Sequence, residues 1–217
     1  MNRITQDAYM RQRMVKYTPK PYQKADYPGQ KVQLDVKYVP TECLDKRLHE
    51  LGEKFYQYTV IDEFSRLPYR QMYNEHSTES SKQFLIEAVA FYKKHGITIE
   101  WAQTDNGTEW TKAFVAANPD DKTSFELQAE YFGIRLTRIR PYTPRHNGKV
   151  ERQHRKDNQR FYRKLRVSSL EEGMQKLAAY GKRSEHYPIS TLGYRSPLEV
   201  LAEYRIKSSQ AALALVC

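Results

Sequence analysis

The period of the hydrophobic pattern changes along this chain, and the order of the changes restricts the folds open to it. From Lys31 to Val39, Val32, Leu34, Val36 and Tyr38 alternate with Gln33, Asp35 and Lys37, the two-residue period of a strand with one apolar and one polar face. Lys54 to Ile61 and Leu67 to Tyr73 are rich in β-branched and aromatic residues, and Asp62-Glu63-Phe64-Ser65 suits a short connection between them. Three antiparallel strands are therefore expected first. From Ser77 to His95 the period becomes helical: Phe84, Leu85, Ala88, Val89 and Tyr92 recur on one side, with a Ser/Thr start and Gly96 past the end. Ile97, Ile99 and Trp101 then alternate toward Thr104, a fourth strand that stops at the turn signal Asp105-Asn106-Gly107.

The remainder repeats that alternation. Asn118-Pro119-Asp120-Asp121 reads as a surface loop, Ser124 to Phe132 as a helix, and Ile134 to Ile139 as a short strand closed by Pro141 and Pro144. A long helix is expected from about His146 to Leu165, with Val150, His154, Phe161 and Leu165 on a narrow buried stripe and Glu151 in its first turns. Ser168 to Tyr180 reads as helical, and Ser196-Pro197-Leu198-Glu199 as a capping box that opens another helix, so the tail is expected to be a pair of short helices. Antiparallel strands followed by alternating helices and strands predict one α/β domain.

Charge points to a partner. The net charge is +10, but residues 1 to 30 carry +4 and residues 135 to 166 carry +10, which leaves −4 for everything else. Clustered positive charge makes a field that a polyanion can neutralise with release of counterions, and nucleic acid is the commonest such partner. Residues 1–27, basic and interrupted by Pro19 and Pro21, read as an arm. No run of apolar residues reaches membrane-spanning length, and the basic N-terminus lacks the apolar stretch of a signal peptide, so a cytoplasmic protein without a membrane partner is expected. Cys43 and Cys217 lie far apart with no metal-type spacing.

Taken singly, the acidic residues are bland. Asp35 reads as a solvent-facing strand residue, Asp105-Asn106-Gly107 as a turn, and Glu151, among Lys149, Arg152 and Arg155, as a partner in surface ion pairs. His146 and His154 have no Cys or carboxylate at a convincing metal spacing and read as cap and core residues. No Gly-x-Ser-x-Gly elbow and no phosphate-cradling Gly-x-x-x-x-Gly-Lys-Ser/Thr loop is present.

In order and context the three acids mean more. Val32-Gln33-Leu34-Asp35-Val36, then Thr104-Asp105-Asn106-Gly107, then the run PRHNGKVER from Pro144 to Arg152 resemble the retroviral-integrase superfamily of DDE transposases, which includes bacterial insertion-sequence transposases. Val60 to Arg66 is similar to that family's second strand and turn, and Leu192-Gly193-Tyr194-Arg195-Ser196-Pro197 to its C-terminal tail. The resemblance implies a ribonuclease-H-like fold, a mixed five-stranded sheet flanked by helices, with a catalytic core over residues 28–167 and a helical extension over 168–217. It implies Asp35, Asp105 and Glu151 as catalytic residues and metal ligands.

Elementary electrostatics agrees with a metal between such groups. Two carboxylates about 4 Å apart repel by roughly 4 kcal/mol at an effective dielectric of 20. Hard oxygen donors suit Mg²⁺ or Mn²⁺, and two ions can assist an in-line displacement at phosphorus. By resemblance, water cleaves the phosphodiester at an element's end to free a 3′ hydroxyl, which then attacks a target strand. Lys149, Arg152, Arg155 and Asn158 are candidate contacts to the DNA backbone. Double-stranded DNA, as element ends and target, is the expected partner, with a homo-oligomer assembled on it in a bacterial nucleoid.

Two departures from the family pattern stand out. Forty-five residues separate Asp105 from Glu151, more than usual, and the surplus falls at Ala113 to Ser124. A polar insertion there can occupy a surface loop without altering the site. Related transposases also carry helix-turn-helix units before this domain, where here only the basic arm precedes it, so a piece of a longer protein or a truncated gene is expected. A nuclease of the same fold that cuts without joining, and a silent DNA-binding or assembly module of a decayed element, are the competing readings.

Overall fold

A computed structural model describes residues 24–112, 121–139 and 147–214. The loop expected around Asn118-Pro119-Asp120, the prolines at 141 and 144, His146, Cys217 and residues 1–23 of the basic arm lie outside the described residues.

Five strands form one sheet: β1 (Val32–Tyr38), β2 (Tyr56–Asp62), β3 (Pro68–Tyr73), β4 (Trp101–Thr104) and β5 (Arg135–Arg138), in the order β3-β2-β1-β4-β5. The first three make the expected antiparallel meander, and β4 and β5 add parallel to β1. The switch to parallel follows α2 (Thr78–Lys94), the crossover that parallel pairing demands. Ser77 caps it by accepting the backbone N–H of Ser80 at 3.1 Å, and Gly96 (φ +62°) follows its end.

The β1 alternation holds, yet neither of its faces is open. Val32 and Leu34, with Tyr58 and Val60 of β2, pack against Phe84, Leu85, Ala88 and Tyr92 of α2, while Trp110 and Phe125 extend that cluster. Phe125 belongs to α3 (Ser124–Tyr131), which opens with a full capping box between Thr123 and Glu126. The opposite face carries Gln33, Asp35 and Lys37 together with Gln57, Thr59 and Arg70, and α4 (Gly148–Arg160) covers it. The expectation that Asp35 faces solvent is thus corrected: a polar strand face is hidden here by a polar helix face.

Element ends differ from expectation for identifiable reasons. β4 starts at Trp101, although Ile97 and Ile99 are buried, because the backbone before it is engaged elsewhere: the N–H of Glu100 donates to Gly29 O at 2.9 Å. A side chain at Gly29 (φ +84°) would overlap the carbonyl oxygen of Thr98, so only glycine permits that crossing. The helix bearing Glu151 ends at Arg160 instead of Leu165, because the chain tightens into a 3₁₀ turn, Tyr162–Lys164. That turn buries Phe161 and Tyr162 together, with Phe161 stacked on Tyr180 at 4.9 Å. A short helix α1 (Lys46–Glu50), capped by Asp45, was not expected at all.

The tail helices are longer than expected. α5 (Leu170–Ser184) packs against β3, where Gly173 meets the Met72 sulfur too closely for a side chain, and α6 (Pro197–Ala214) runs 18 residues behind the expected Ser196/Glu199 capping box. Val39, Leu48, Phe55, Met72, Phe161, Leu177 and Tyr180 form a second apolar cluster that joins the tail to the sheet.

Candidate active site

The sheet places the two aspartates. In the parallel register Gln33 pairs with Gln103, so two further residues along each strand Asp35 is level with Asp105, just past the end of β4. Asp105 adopts the tight turn its sequence predicted, its Oδ1 accepting the backbone N–H of Gly107 at 3.0 Å, while Asn106 donates to Ile139 O at 3.0 Å. Glu151 lies half-buried in the first turn of α4.

What seats α4 over β1 is a glutamine. Asn147, the residue before the helix, makes no side-chain cap, and its amide donates instead to Leu34 O at 3.1 Å. The unsatisfied N–H groups at the helix start are met from the sheet: Gln33 Oε1 accepts from Lys149 N at 3.0 Å and Val150 N at 3.3 Å. Gln33 Nε2 in turn donates to buried Glu63 at 2.7 Å, whose other oxygen holds the Lys149 ammonium at 2.9 Å. Lys149, a candidate DNA contact, is thereby tied into the interior. Arg152, Arg155 and Asn158 are exposed, and Asn158 accepts from Lys37. These four candidates do not share one face of the helix.

Asp35 is strongly perturbed. Burial pushes its carboxyl up, Asp105 adds to this, the Val36 N–H on its Oδ1 opposes it, and Glu151 and Glu109 raise it further, to about 7. His154 Nδ1 lies 3.4 Å from Asp35 Oδ2, while its Nε2 is 3.0 Å from Thr59 Oγ1. Burial holds His154 down to about 4 against the pull of Asp157, so this is a neutral imidazole beside a carboxyl, too long for a strong hydrogen bond. Lys37, lowered to about 8 mainly by burial, is the nearest cation on the same strand.

Two participants escaped sequence reasoning. Glu109 is buried, paired with His76 at 3.1 Å, and its carboxylate lies where a side chain on Gly107 would have to go. Nothing in its local pattern marks it, although its position four residues after Asp105, within the same turn, is a usable hint. Gln33 carried no signal beyond its neighbour Asp35.

The donor chemistry fits a hard divalent cation: oxygen donors of like charge that raise one another's proton affinity would be relieved by positive charge among them. Among the described residues, however, no three acidic, histidine or cysteine side chains are gathered closely enough to hold an ion as they stand. The carboxylates feel one another without closing on a common point.

An integrase core domain model matches residues 25–144 of this chain, and a second integrase core domain model matches residues 132–197. The chain belongs to the integrase core domain family. The open reading frame 3 product of Spiroplasma virus SpV1-C74, assigned as an integrase, is 30% identical over 130 residues, 57% of this chain and 33% of that protein. The chain thus spans about a third of that curated relative's length. Among solved structures, the catalytic core of BIV integrase superposes with a TM-score of 0.54 at 20% identity, covering 83% of this chain and 99% of that one. The HTLV-2 integrase core in complex with magnesium, in a trimeric form, gives 0.55 at 14% identity over 82% and 99%. A simian T-cell lymphotropic virus intasome bound to a PP2A regulatory subunit gives 0.58 at 16% identity over 82% and 56%. These integrase cores share the ribonuclease-H-like arrangement of a mixed five-stranded sheet and flanking helices. No helix among the described residues is long and apolar enough to cross a membrane.

Proposed function

We propose that this integrase core is the catalytic domain of a transposase that cleaves DNA at the 3′ ends of an element and joins those ends to a target. Residues 28–167 are the catalytic unit and 168–217 its helical extension. The observation that carries the reading is Asp35: in a chain of this family, its carboxyl sits level with Asp105 under the helix of Glu151 and is pushed to about 7 by burial and by those neighbours.

Asp35, Asp105 and Glu151 are the residues that would hold Mg²⁺ or Mn²⁺, in a pair as the chemistry is best served. Such ions supply charge stabilisation to the attacking and leaving oxygens of a phosphodiester in line. The chain's own residues do the rest. Gln33 and Glu63 fix the entry of α4 and so the height of Glu151 above the sheet. The Asp105 turn keeps its second oxygen free of the Gly107 N–H. Exposed Arg152, Arg155 and Asn158 meet the DNA backbone and orient it, a sequence-independent task suited to guanidinium and amide groups. Element ends brought together imply a homo-oligomer on DNA.

The test is strand rejoining on a branched DNA that mimics the integration product, in Mn²⁺, for this chain and for Glu151→Gln. Metal-dependent rejoining that the variant loses supports transesterification at this site. Cutting without any joining would mean a nuclease, and salt-sensitive DNA binding with neither would mean a silent binding module.

A further inference from the structure

Helix α4 has two working sides. Glu151, His154 and Asn158 recur at i, i+3 and i+7 and look toward Asp35 and Lys37. Lys149, Arg152, Gln153, Lys156 and Arg160 recur at i, i+3, i+4, i+7 and i+11 on another side, turned from Glu151 by roughly 100–200°. That second side lines a groove of about 570 Å³ whose far wall is the segment Pro188–Thr191 with Tyr194. Six cations line it, Arg66, Lys149, Arg152, Arg155, Lys156 and Arg160, and no carboxylate does.

The far wall is fixed rather than loose. Ile189 N donates to Arg195 O and Tyr194 N to Ile189 O, each at 3.0 Å, and Tyr194 takes a left-handed backbone (φ +63°) that leaves its ring 77% exposed at the rim. Glu63 compensates Lys149 from below, but among the described residues no carboxylate lies within ion-pair distance of Arg152, Arg155 or Lys156. Gathering like charges along one groove is unfavourable until an anion joins them. Ordinary solvated cations do not converge on a walled groove.

We infer that this groove is a second DNA-binding site, which takes the phosphodiester backbone of a strand other than the one at Asp35. A helix with its side chains is about 10–12 Å across, so one strand cannot follow both sides of α4. The inference rests on the proposed DNA-joining function, which needs two DNA segments held at once; it assigns the second to Lys156 and Arg160, and leaves Arg152 and Arg155 to the DNA at Asp35.

The experiment uses the full chain, in EDTA, with a fluorescein-labelled blunt duplex. Lysine acetylation at pH 8, read by mass spectrometry, reports on Lys156, whose ammonium is destabilised by burial and by Arg160 and Arg152 and therefore labels readily. Saturating DNA should reduce labelling of Lys156 at least about fivefold, while Lys207, exposed on α6, labels as before. In the variant Lys156→Gln with Arg160→Gln, the slope of log affinity against log salt should fall by about 2, near 0.9 for each lost phosphate contact. Unchanged Lys156 labelling in a DNA-saturated protein overturns the inference, even if the chain rejoins branched DNA. Protection of Lys156 without any rejoining in Mn²⁺ keeps the groove and removes the catalytic reading. Should the double variant not fold, the labelling of the unmutated chain decides alone.

Discussion

The side-chain oxygen of Gln33 and the backbone N–H of Lys149 are joined at 3.0 Å across 116 residues of sequence. This bond, with the one from Val150, connects the strand of Asp35 to the helix of Glu151. Replacing Gln33 by alanine leaves two helix-start N–H groups unmet and takes one donor from buried Glu63, at a cost of about 1–3 kcal/mol. Urea unfolding of Gln33→Ala should show that loss, and rejoining activity should fall more than DNA affinity. Activity at the parent level would mean that the bond does not position Glu151.

Arg70 and Asp157 make a buried two-point pair, Nε to Oδ2 at 2.9 Å and a terminal guanidinium nitrogen to Oδ1 at 3.0 Å. Arg70→Met strands a buried carboxylate and should destabilise by about 3–5 kcal/mol, visible as a lower urea midpoint.

The same pair predicts a pH dependence. Burial alone would raise the Asp157 carboxyl, but the charge of Arg70 and hydrogen bonds from Arg70, Gln57 and Gln153 outweigh it and hold it below the usual carboxylate range. Its stabilisation is therefore complete above the unfolded value near 4 and is lost as pH falls through the lower folded value. Acid unfolding followed by circular dichroism should lose stability more steeply below pH 4 in the parent than in Asp157→Asn, which starts weaker. Parallel curves would contradict this.

Asp35→Asn removes the carboxylate that its neighbours oppose. Without metal at pH 8 the variant should be more stable than the parent, on the order of 4 kcal/mol for a shift of this size. Millimolar Mn²⁺ should raise the melting temperature of the parent and leave that of the variant nearly unchanged. An equal rise in both would place metal binding elsewhere.

Asp105→Asn keeps an oxygen to accept the Gly107 N–H, so the turn survives while a charged donor is lost. Rejoining should drop about a thousandfold or more, with DNA affinity within a factor of about two, since no positive charge is removed. Anisotropy and product gels on the same samples measure both.

The sheet could be read from the sequence because strand alternation and turn chemistry are local: Val32 to Tyr38 alternates, and Asp105-Asn106-Gly107 ends a strand. The candidate triad became visible through motif resemblance, not periodicity, since the pattern around Asp35 read as a solvent face. What stayed hidden depends on distant partners. Gln33 matters through Lys149 and Glu63, and Glu109 through His76; His154 is buried as expected, but its contact with Thr59 could not be read. The end of α4 differs from expectation because Phe161 and Leu165 keep the apolar rhythm of a helix, while burial in the second cluster draws the backbone into a tighter turn.

The polar seam between α4 and the sheet also limits how this domain could go wrong. A greasy seam tolerates sliding, because one methyl group replaces another with little change in energy. Here Lys149 N meets Gln33, His154 meets Thr59, and Asp157 meets Gln57 and Arg70, so a shift by one helical turn would break every bond together. The joint behaves like a keyed lock: α4 is seated at one depth or not seated, and Glu151 inherits that all-or-none placement.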